Sequence, residues 1–265
     1  MSHFVNFQDQ VCLVTGAGSE SGIGFCTAKL LGSLGAKVAL ISTTDRIQKR
    51  VQELNSLAIT ARGYQVDLID RKQTEDVIKA ILSDFGRIDV LVNNAGMTQV
   101  GESEDFSEFA EMSYEEWDRS IQRNLTLCFN VTRQVLPFMK AARYGRIVNV
   151  SSVTGPVVSN PGEASYSAAK AAIIGMSRAI AIEAAKENIM INNVLPGWIA
   201  TASQTEGEAA GGLNTPVGRG GSPEEVANMI VFLSSKEASY ITGQTFIVDG
   251  GNTIQEYKGP KELYY

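Results

Sequence analysis

Residues 11–25, VCLVTGAGSESGIGF, join a short apolar run to a glycine-rich turn. Val11 to Thr15 have the composition of a buried strand, and residues 22–34 that follow the turn have helical periodicity. A strand, a tight glycine turn and a helix start point backbone N–H groups and the positive helix end at a pyrophosphate. The stretch therefore predicts a dinucleotide-binding turn, in which five residues separate Gly16 from Gly22.

Short β-branched runs continue to alternate with longer helical segments along the chain. This alternation predicts a Rossmann-type, doubly wound α/β fold with helices on both faces of a parallel sheet. Seven strands are predicted, over 11–15, 37–42, 63–67, 89–93, 146–151, 189–195 and 244–248. Helices are predicted over 22–34, 45–56, 71–85, 114–142, 165–187 and 223–233. Residues 97–113 and 202–214 are predicted to be loops at the carboxyl edge of the sheet, where such sheets bind ligands.

Length and composition predict one folded domain over 1–265, with residues 253–265 as a C-terminal extension. The net charge is −6 and no run of Lys and Arg is dense, which argues against a nucleic-acid partner. No signal peptide and no apolar run of about 18 residues is visible, so we expect a cytoplasmic protein without a membrane partner.

The cysteines and the single histidine narrow the chemistry further. Cys12, Cys26 and Cys128 form no CxxC pair and are expected to be small buried core residues. His3, in the N-terminal segment, is the single histidine, which argues against a Ser-His-Asp triad and an HExxH zinc site. We expect no metal.

Other polar turns are predicted at the same sheet edge as the glycine turn. Residues 93–96, NNAG, end the fourth strand, and residues 196–201, PGWIAT, follow the sixth. Asp67 is predicted to end the third strand, where its carboxylate could accept a hydrogen bond from an adenine amino group.

Tyr166 and Lys170 are four residues apart and share one helix face. An ammonium near a phenol favours the phenolate and lowers its pKa from about 10. A second YxxxK pattern, from Tyr257 to Lys261, contains Gly259 and Pro260, which would break the helix. The context therefore selects Tyr166 and Lys170.

Six motifs, TG(x5)GIG, NNAG, SSVTG, YSAAK, LPGWIAT and VDGGN, occur in the order and approximate spacing of the short-chain dehydrogenase/reductase family. The chain resembles this family from about Val11 to Asn252, and residues 218–227 resemble its 3-oxoacyl-carrier-protein reductases, although that segment also occurs in members with other substrates. The resemblance implies a seven-stranded Rossmann sheet, a nicotinamide cofactor and usually a homotetramer.

The resemblance also implies catalytic roles. Tyr166 would be the general acid when a ketone is reduced and the base in the reverse direction, and Lys170 would tune Tyr166 and bind the nicotinamide ribose. Ser152 would polarise the substrate carbonyl, and Ser151 is the alternative, although Ser152 better matches the family's Ser-x-x-Gly pattern. Asn124 would hold a water in a proton relay.

The cofactor contacts implied by the resemblance lie at the carboxyl edge of the predicted sheet. They are Gly16, Ser19, Ser21, Gly22, Ile23, Gly24, Ser42, Thr43, Thr44, Arg46, Asp67, Leu68, Asn94, Ala95, Gly96, Tyr166, Lys170, Pro196, Gly197, Ile199 and Thr201.

The end of the second strand bears on the choice of cofactor. NAD-preferring members commonly have an acidic residue where this chain has Ser42. The hydroxyls of residues 42–44 and the guanidinium of Arg46 could accept a 2′-phosphate, which favours NADP(H). NAD(H) stays open, since Glu20 could repel that phosphate.

The predicted substrate is a ketone or a secondary alcohol. The predicted loop over 97–113 carries five acidic residues, Glu102, Glu104, Asp105, Glu108 and Glu111, which would repel an acidic acyl carrier. We therefore expect a carbonyl reductase of a small ketone, with a 3-oxoacyl-carrier-protein reductase as the alternative. A non-catalytic nucleotide-sensing protein is the alternative of another class.

The C-terminal extension carries three tyrosines, Tyr257, Tyr264 and Tyr265. We expect either a surface extension that partly frays or a segment that packs on a neighbouring subunit.

Overall fold

A computed structural model describes residues 5–96, 107–202, 204–256 and 258–259 of the chain. One sheet of seven parallel strands crosses it in the order β3-β2-β1-β4-β5-β6-β7. The strands are β1 (Val11–Thr15), β2 (Lys37–Ser42), β3 (Ala61–Gln65), β4 (Val90–Asn93), β5 (Gly145–Val150), β6 (Ile189–Pro196) and β7 (Thr245–Val248). The strand order reverses between β1 and β4, so the ends of these two strands form the switch point where such sheets bind ligands.

Eight α-helices are described. They are α1 (Ile23–Ser33), α2 (Arg46–Ser56), α3 (Arg71–Phe85), α4 (Tyr114–Ile121), α5 (Leu127–Ala142), α6 (Ala164–Ala184), α7 (Glu206–Leu213) and α8 (Pro223–Ser234). A π-helical turn, Gln122–Thr126, joins α4 to α5. No helix of the described ranges is long and apolar enough to cross a bilayer.

The core has one layer on each face of the sheet. Along β1, Cys12 and Val14 pack into the layer formed with α1, α2 and α8, whereas Leu13 packs into the layer formed with α3, α5 and α6. Successive strand side chains point to opposite faces, so a strand buried on both faces reads as a continuous apolar run. The predicted doubly wound α/β fold is confirmed.

The predicted bounds of β1, β2 and α3 agree with the structure, but those of β3 were wrong. β3 begins at Ala61, two residues before Gly63, and ends at Gln65. Gly63 lies in the middle of the strand because α2 packs on it there: a Cβ on Gly63 would lie 2.8 Å from Cγ2 of Val51. Asp67 therefore lies beyond the strand, and its Oδ1 accepts a hydrogen bond from the backbone N of Ile69.

Two other predictions were wrong in ways that concern the site. The helix predicted over 114–142 is interrupted by the π-helical turn, which inserts one extra residue into the helical hydrogen-bond pattern. Part of the loop predicted over 202–214 is α7, which begins with a capping box between Thr205 and Glu208. That loop contains three glycines and lacks an apolar period, and these features concealed the helix.

Cys12 and Cys128 are buried, as predicted, but Cys26 is only partly buried. Its Sγ lies 3.3 Å from Oε1 of Glu224, and partial burial together with this carboxylate raises the pKa of Cys26 to about 12. His3, most of the acidic loop and the three C-terminal tyrosines lie outside the described residues.

Candidate active site

The glycine turn joins β1 to α1 at the switch point of the sheet. Gly16 has a φ of +68°, a conformation that favours glycine, and a Cβ on Gly24 would lie only 2.7 Å from the backbone O of Gly16. The start of α1 therefore packs directly onto the turn. Within the described residues no side chain caps α1, whose N-cap is Gly22, so its first backbone N–H groups are suited to an anion.

The NNAG turn after β4 is hydrogen-bonded to the end of β1. Nδ2 of Asn94 donates to the backbone O atoms of Thr15 and Gly16, each at 3.1 Å. Oγ1 of Thr15 accepts from the backbone N atoms of Asn94 and Ala95, each at 3.0 Å. Two of the predicted cofactor contacts, Asn94 and Gly16, are thus brought together, with the Asn94 amide holding the turn rather than facing outward.

The predicted contacts after β2 also lie beside the glycine turn. A Cβ on Gly18 would lie 2.5 Å from Oγ of Ser42 and 4.0 Å from Oγ1 of Thr44. Nε of Arg46 donates to Oγ1 of Thr44 at 3.2 Å, which sets the guanidinium beside this hydroxyl. Thr43 is exposed. Hydroxyl groups and one guanidinium therefore gather where a ribose 2′-substituent is expected.

Residues 19–24 place the other predicted loop contacts. The backbone N of Gly22 donates to the O of Ser19 at 3.3 Å, so Ser19, Glu20, Ser21 and Gly22 form a turn. Ser19 and Ile23 are half-buried, and Ser21 is exposed.

Asp67 and Leu68, two predicted cofactor contacts, differ in whether their side chains can reach a ligand. Oδ1 of Asp67 accepts from the backbone of Ile69, which leaves Oδ2 as the oxygen that can face a ligand. Leu68 is buried, and its backbone O accepts hydrogen bonds from Oγ1 of Thr74 and Nδ2 of Asn130. The Leu68 side chain is therefore part of the core.

Tyr166 and Lys170 lie on the same face of α6, as predicted. Nζ of Lys170 lies 5.5 Å from the centre of the Tyr166 ring and donates to the backbone O of Val150 at 3.4 Å. Lys170 is 3% exposed, whereas Tyr166 is half-buried. A buried ammonium thus lies close to the ring of a half-buried phenol.

Asn124 and Lys170 meet at Gly96. A Cβ on Gly96 would lie 3.2 Å from Oδ1 of Asn124 and 3.2 Å from Nζ of Lys170. The π-helical turn carries Asn124, and Nδ2 of Asn124 donates to the backbone O of Ser120 at 3.1 Å. Because a π-helical turn shifts a side chain from its regular helical position, the interruption of the helix places Asn124 toward the NNAG turn.

The two serines after β5 have different environments. Oγ of Ser151 is buried and donates to the backbone O of Lys170 at 2.8 Å. Ser152 is half-buried, and its Oγ accepts from the backbone N of Thr154 at 3.1 Å. The Ser152 hydroxyl hydrogen therefore remains suited to a substrate oxygen, whereas the Ser151 hydroxyl hydrogen is used in a bond to α6.

The PGWIAT turn after β6 is held from two sides. The backbone N of Gly197 donates to the O of Val248 at 3.0 Å, and the N of Ala200 donates to the O of Gly221 at 2.8 Å. Pro196 is buried, and Ile199 and Thr201 are half-buried. These residues form one wall at the carboxyl edge of the sheet.

Sequence reasoning missed the contacts of α7. A Cβ on Gly211 would lie 2.8 Å from Cε2 of Trp198, so α7 packs closely on the PGWIAT turn. Partial burial and the carboxylate of Glu208 on α7 raise the pKa of Glu163, which immediately precedes α6. The Thr-x-x-Glu pattern of residues 205–208 was the available signal for this helix.

The sequence is similar to that of known proteins over most of its length. A family model described as enoyl-(acyl carrier protein) reductase matches residues 16–253. The chain is 42% identical to the 3-oxoacyl-[acyl-carrier-protein] reductase FabG of Thermotoga maritima, over 94% of this chain and 100% of the relative. It is 38% identical to the protein of the same name from Escherichia coli, over 93% of this chain and 98% of that relative.

Proposed function

The chain belongs to the short-chain dehydrogenase/reductase family of oxidoreductases, and from this premise we propose that it reduces a ketone to a secondary alcohol with NADP(H). The observation that carries the proposal is the meeting of Lys170 and Asn124 at Gly96, with the Tyr166 ring centre 5.5 Å from Nζ of Lys170. Gly96 leaves a flat surface of backbone there, and the uncapped start of α1 suits a pyrophosphate. The residues present therefore fit a nicotinamide dinucleotide.

We assign Tyr166 as the general acid and Ser152 as the hydrogen-bond donor to the substrate carbonyl. A nicotinamide bound at this site would supply the hydride that reduces the carbonyl carbon. The carbonyl π electrons move to oxygen, and that oxygen takes the Tyr166 proton, which balances the reaction as a secondary alcohol and a phenolate. Lys170 favours that phenolate because its ammonium stands 5.5 Å from the ring centre. Asn124 holds the water through which Tyr166 regains its proton.

NADP(H) is the proposed cofactor because hydroxyl side chains and the Arg46 cation follow β2. Ser42 occupies the position where NAD-preferring members commonly have an acidic residue. Thr44 and Arg46 are hydrogen-bonded to each other beside Gly18. A 2′-phosphate would find a positive charge and hydroxyl donors there. NAD(H) is the alternative, and measured dissociation constants for NADPH and NADH separate the two.

A small neutral or cationic ketone is the proposed substrate. Glu163 precedes the catalytic helix, and Glu208 lies on α7, near enough for the Glu208 carboxylate to raise the Glu163 pKa. Glu108 and Glu111 are exposed at the start of the segment that leads to α4. Carboxylates in these places disfavour an acidic carrier protein.

A carrier-bound 3-oxoacyl chain is the second candidate, since the relatives named above are 3-oxoacyl-[acyl-carrier-protein] reductases. The test presents the same 3-oxoacyl group on an acyl carrier protein and on N-acetylcysteamine, together with a panel of small ketones. A higher kcat/KM for the small thioester or for a small ketone supports the first candidate. A higher kcat/KM for the carrier-bound chain supports the second.

Turnover itself distinguishes an enzyme from a nucleotide-sensing protein. Consumption of NADPH or NADH with the ketone panel, or of NADP⁺ or NAD⁺ with the matching alcohols, supports the proposed function. Cofactor binding without consumption across both panels would instead support a sensor.

We further propose a homotetramer. Large apolar side chains are exposed on two helices, with Phe129 and Phe138 on α5 and Ile182 on α6. Such side chains favour burial against further copies of the chain. Light scattering of the purified protein tests the number of subunits.

A further inference from the structure

A buried arginine of α2 reaches residues 19–21 of the glycine turn. Arg50 is 3% exposed, and its Nη1 lies 3.4 Å from Oε2 of Glu20. Its Nη2 pairs with Glu53, and its guanidinium carbon lies 5.1 Å from the centre of the Phe25 ring. A buried cation is held by paired carboxylates and an aromatic face, so Arg50 has a fixed position between the glycine turn, α1 and α2.

Glu20 is in a different environment. Its side chain is 73% exposed, and it lies in the turn formed by residues 19–22. An exposed carboxylate at the tip of a turn has many available directions, and the pair with Arg50 selects the one toward α2. Residues 19–21 are therefore held to α2 through the Glu20 carboxylate.

The same helix carries the cation expected to meet a 2′-phosphate. Arg46 and Arg50 are four residues apart on α2, so they are neighbours on one helix surface. Arg50, the residue that holds Glu20, thus lies about one helical turn from Arg46 along α2. A carboxylate released from Arg50 would have Arg46 as one of the cations available to it on this helix.

We propose that Arg50 is a positioning residue that holds the Glu20 carboxylate away from Arg46 and thereby keeps Arg46 available for the 2′-phosphate of NADP(H). The inference rests on the proposed function, since it requires that a nicotinamide dinucleotide binds at the glycine turn. It also explains how the turn can contain Glu20, whose negative charge would oppose a 2′-phosphate if Arg50 did not hold it.

The test uses two substitutions of the exposed Glu20, neither of which endangers the core. Glu20→Asp keeps the charge but shortens the side chain, so the carboxylate no longer reaches Arg50. Glu20→Gln removes the charge. Dissociation constants for NADPH and for NADH are measured by fluorescence titration of the full-length protein, without substrate.

We expect Glu20→Asp to raise the Kd for NADPH by about threefold to tenfold while the Kd for NADH changes by less than about twofold, since one unscreened charge near the phosphate has an effect of this order. Glu20→Gln should not weaken NADPH relative to NADH. Arg50→Met should act as Glu20→Asp does, and the double variant Glu20→Gln/Arg50→Met should restore the wild-type ratio of the two constants. Lys49→Met, which removes an exposed cation from the same helix, is the matched control.

If Glu20→Asp changed both constants by the same factor, or changed neither, the ratio of the NADPH and NADH constants would stay at its wild-type value. That result would indicate a purely structural contact and overturn the inference. If the wild-type protein bound neither nucleotide, the proposed function would fail together with this inference. The wild-type titrations therefore separate a failure of the function from a failure of the Glu20–Arg50 pair.

Discussion

Oγ of Ser151 donates a hydrogen bond to the backbone O of Lys170 at 2.8 Å. This bond joins the end of β5 to α6 one turn after Tyr166. The Ser151 hydroxyl therefore holds the backbone of the helix, whereas the hydroxyl proposed to meet the substrate is that of Ser152, whose Oγ accepts from the backbone N of Thr154.

Exchange of each serine for alanine should separate these roles. Ser152→Ala should lower kcat/KM by about 10²-fold to 10³-fold, the usual effect of losing one donor to a developing oxyanion. Ser151→Ala should instead lower the free energy of unfolding by about 0.5–1.5 kcal/mol, the usual net contribution of one hydrogen bond, because the Lys170 carbonyl keeps its helical partner. Steady-state kinetics and urea unfolding of both variants check this. An equal loss of kcat/KM in the two variants would contradict the assignment of Ser152.

Gly155 fixes the loop after β5 to the start of α6. Its φ is +100°, and a Cβ there would lie 2.3 Å from the backbone O of Ser167, the residue after Tyr166. Gly155→Ala should therefore displace the loop or the first turn of α6, with loss of both stability and turnover. Gly86→Ala is the matched control, because Gly86 has a φ of +80° and no atom within 4 Å of its Cβ position.

The control should cost about 1 kcal/mol for the left-handed conformation alone. Gly155→Ala should cost about 2 kcal/mol more than the control, since it adds a steric clash. Chemical unfolding measures both, and equal costs would show that the contact with Ser167 is unimportant.

The sequence predicted the fold and indicated the candidate catalytic side chains, because strands and helices have local signals. Strands that are buried on both faces appear in the sequence as continuous apolar runs. A spacing of four residues between Tyr166 and Lys170 places both side chains on one face when the segment is a helix. Both features can therefore be recognised from the sequence alone. The role of Asn124 was predicted only from the resemblance to the family. The π-helical turn that carries it was not predicted, because such a turn has no simple sequence period. The partner of Glu20 was hidden, since Arg50 is thirty residues away along the chain and meets Glu20 only through tertiary packing.

Residues 218–227, which resemble a segment of 3-oxoacyl-carrier-protein reductases, make contacts that stabilise the start of α8. Nη1 and Nη2 of Arg219 bind Oε2 and Oε1 of Glu225 at 2.8 and 2.7 Å, and Glu225 also completes the capping box of α8 with Ser222. These contacts order the start of α8, which explains why such a segment does not by itself identify a substrate.

The same pair predicts a pH dependence of stability. Hydrogen bonds from Arg219 and from the backbone of Ser222 lower the pKa of Glu225 from 4.5 to about 2. A carboxyl group with a lowered folded-state pKa stabilises the fold above its unfolded pKa, and this contribution is lost as the pH falls from about 4.5 to about 2. Arg219→Met should therefore lower Tm at pH 7, and the difference from wild type should shrink across that interval.

Lys236→Met, which removes an exposed cation elsewhere, is the control for net charge. Thermal unfolding from pH 7 to pH 2 provides the measurement. A difference in Tm that is independent of pH would show that the ionised Glu225 is not what Arg219 stabilises.

Tyr166→Phe isolates the proposed proton transfer from every other function of the site. The phenyl ring keeps the packing over Lys170, whose Nζ lies 5.5 Å from the ring centre, and removes only the hydroxyl. Loss of a positioned general acid lowers turnover by about 10²-fold to 10⁴-fold, so kcat should fall by that factor. The Tm should stay within experimental error of the wild-type value. The Kd for NADPH should change by less than about twofold. Tyr240→Phe, at a fully exposed tyrosine, is the matched control and should leave kcat unchanged. If Tyr166→Phe retained near-normal kcat, another group would have to supply the proton, and the role assigned to the Tyr166 hydroxyl would be wrong even though the cofactor site remained intact.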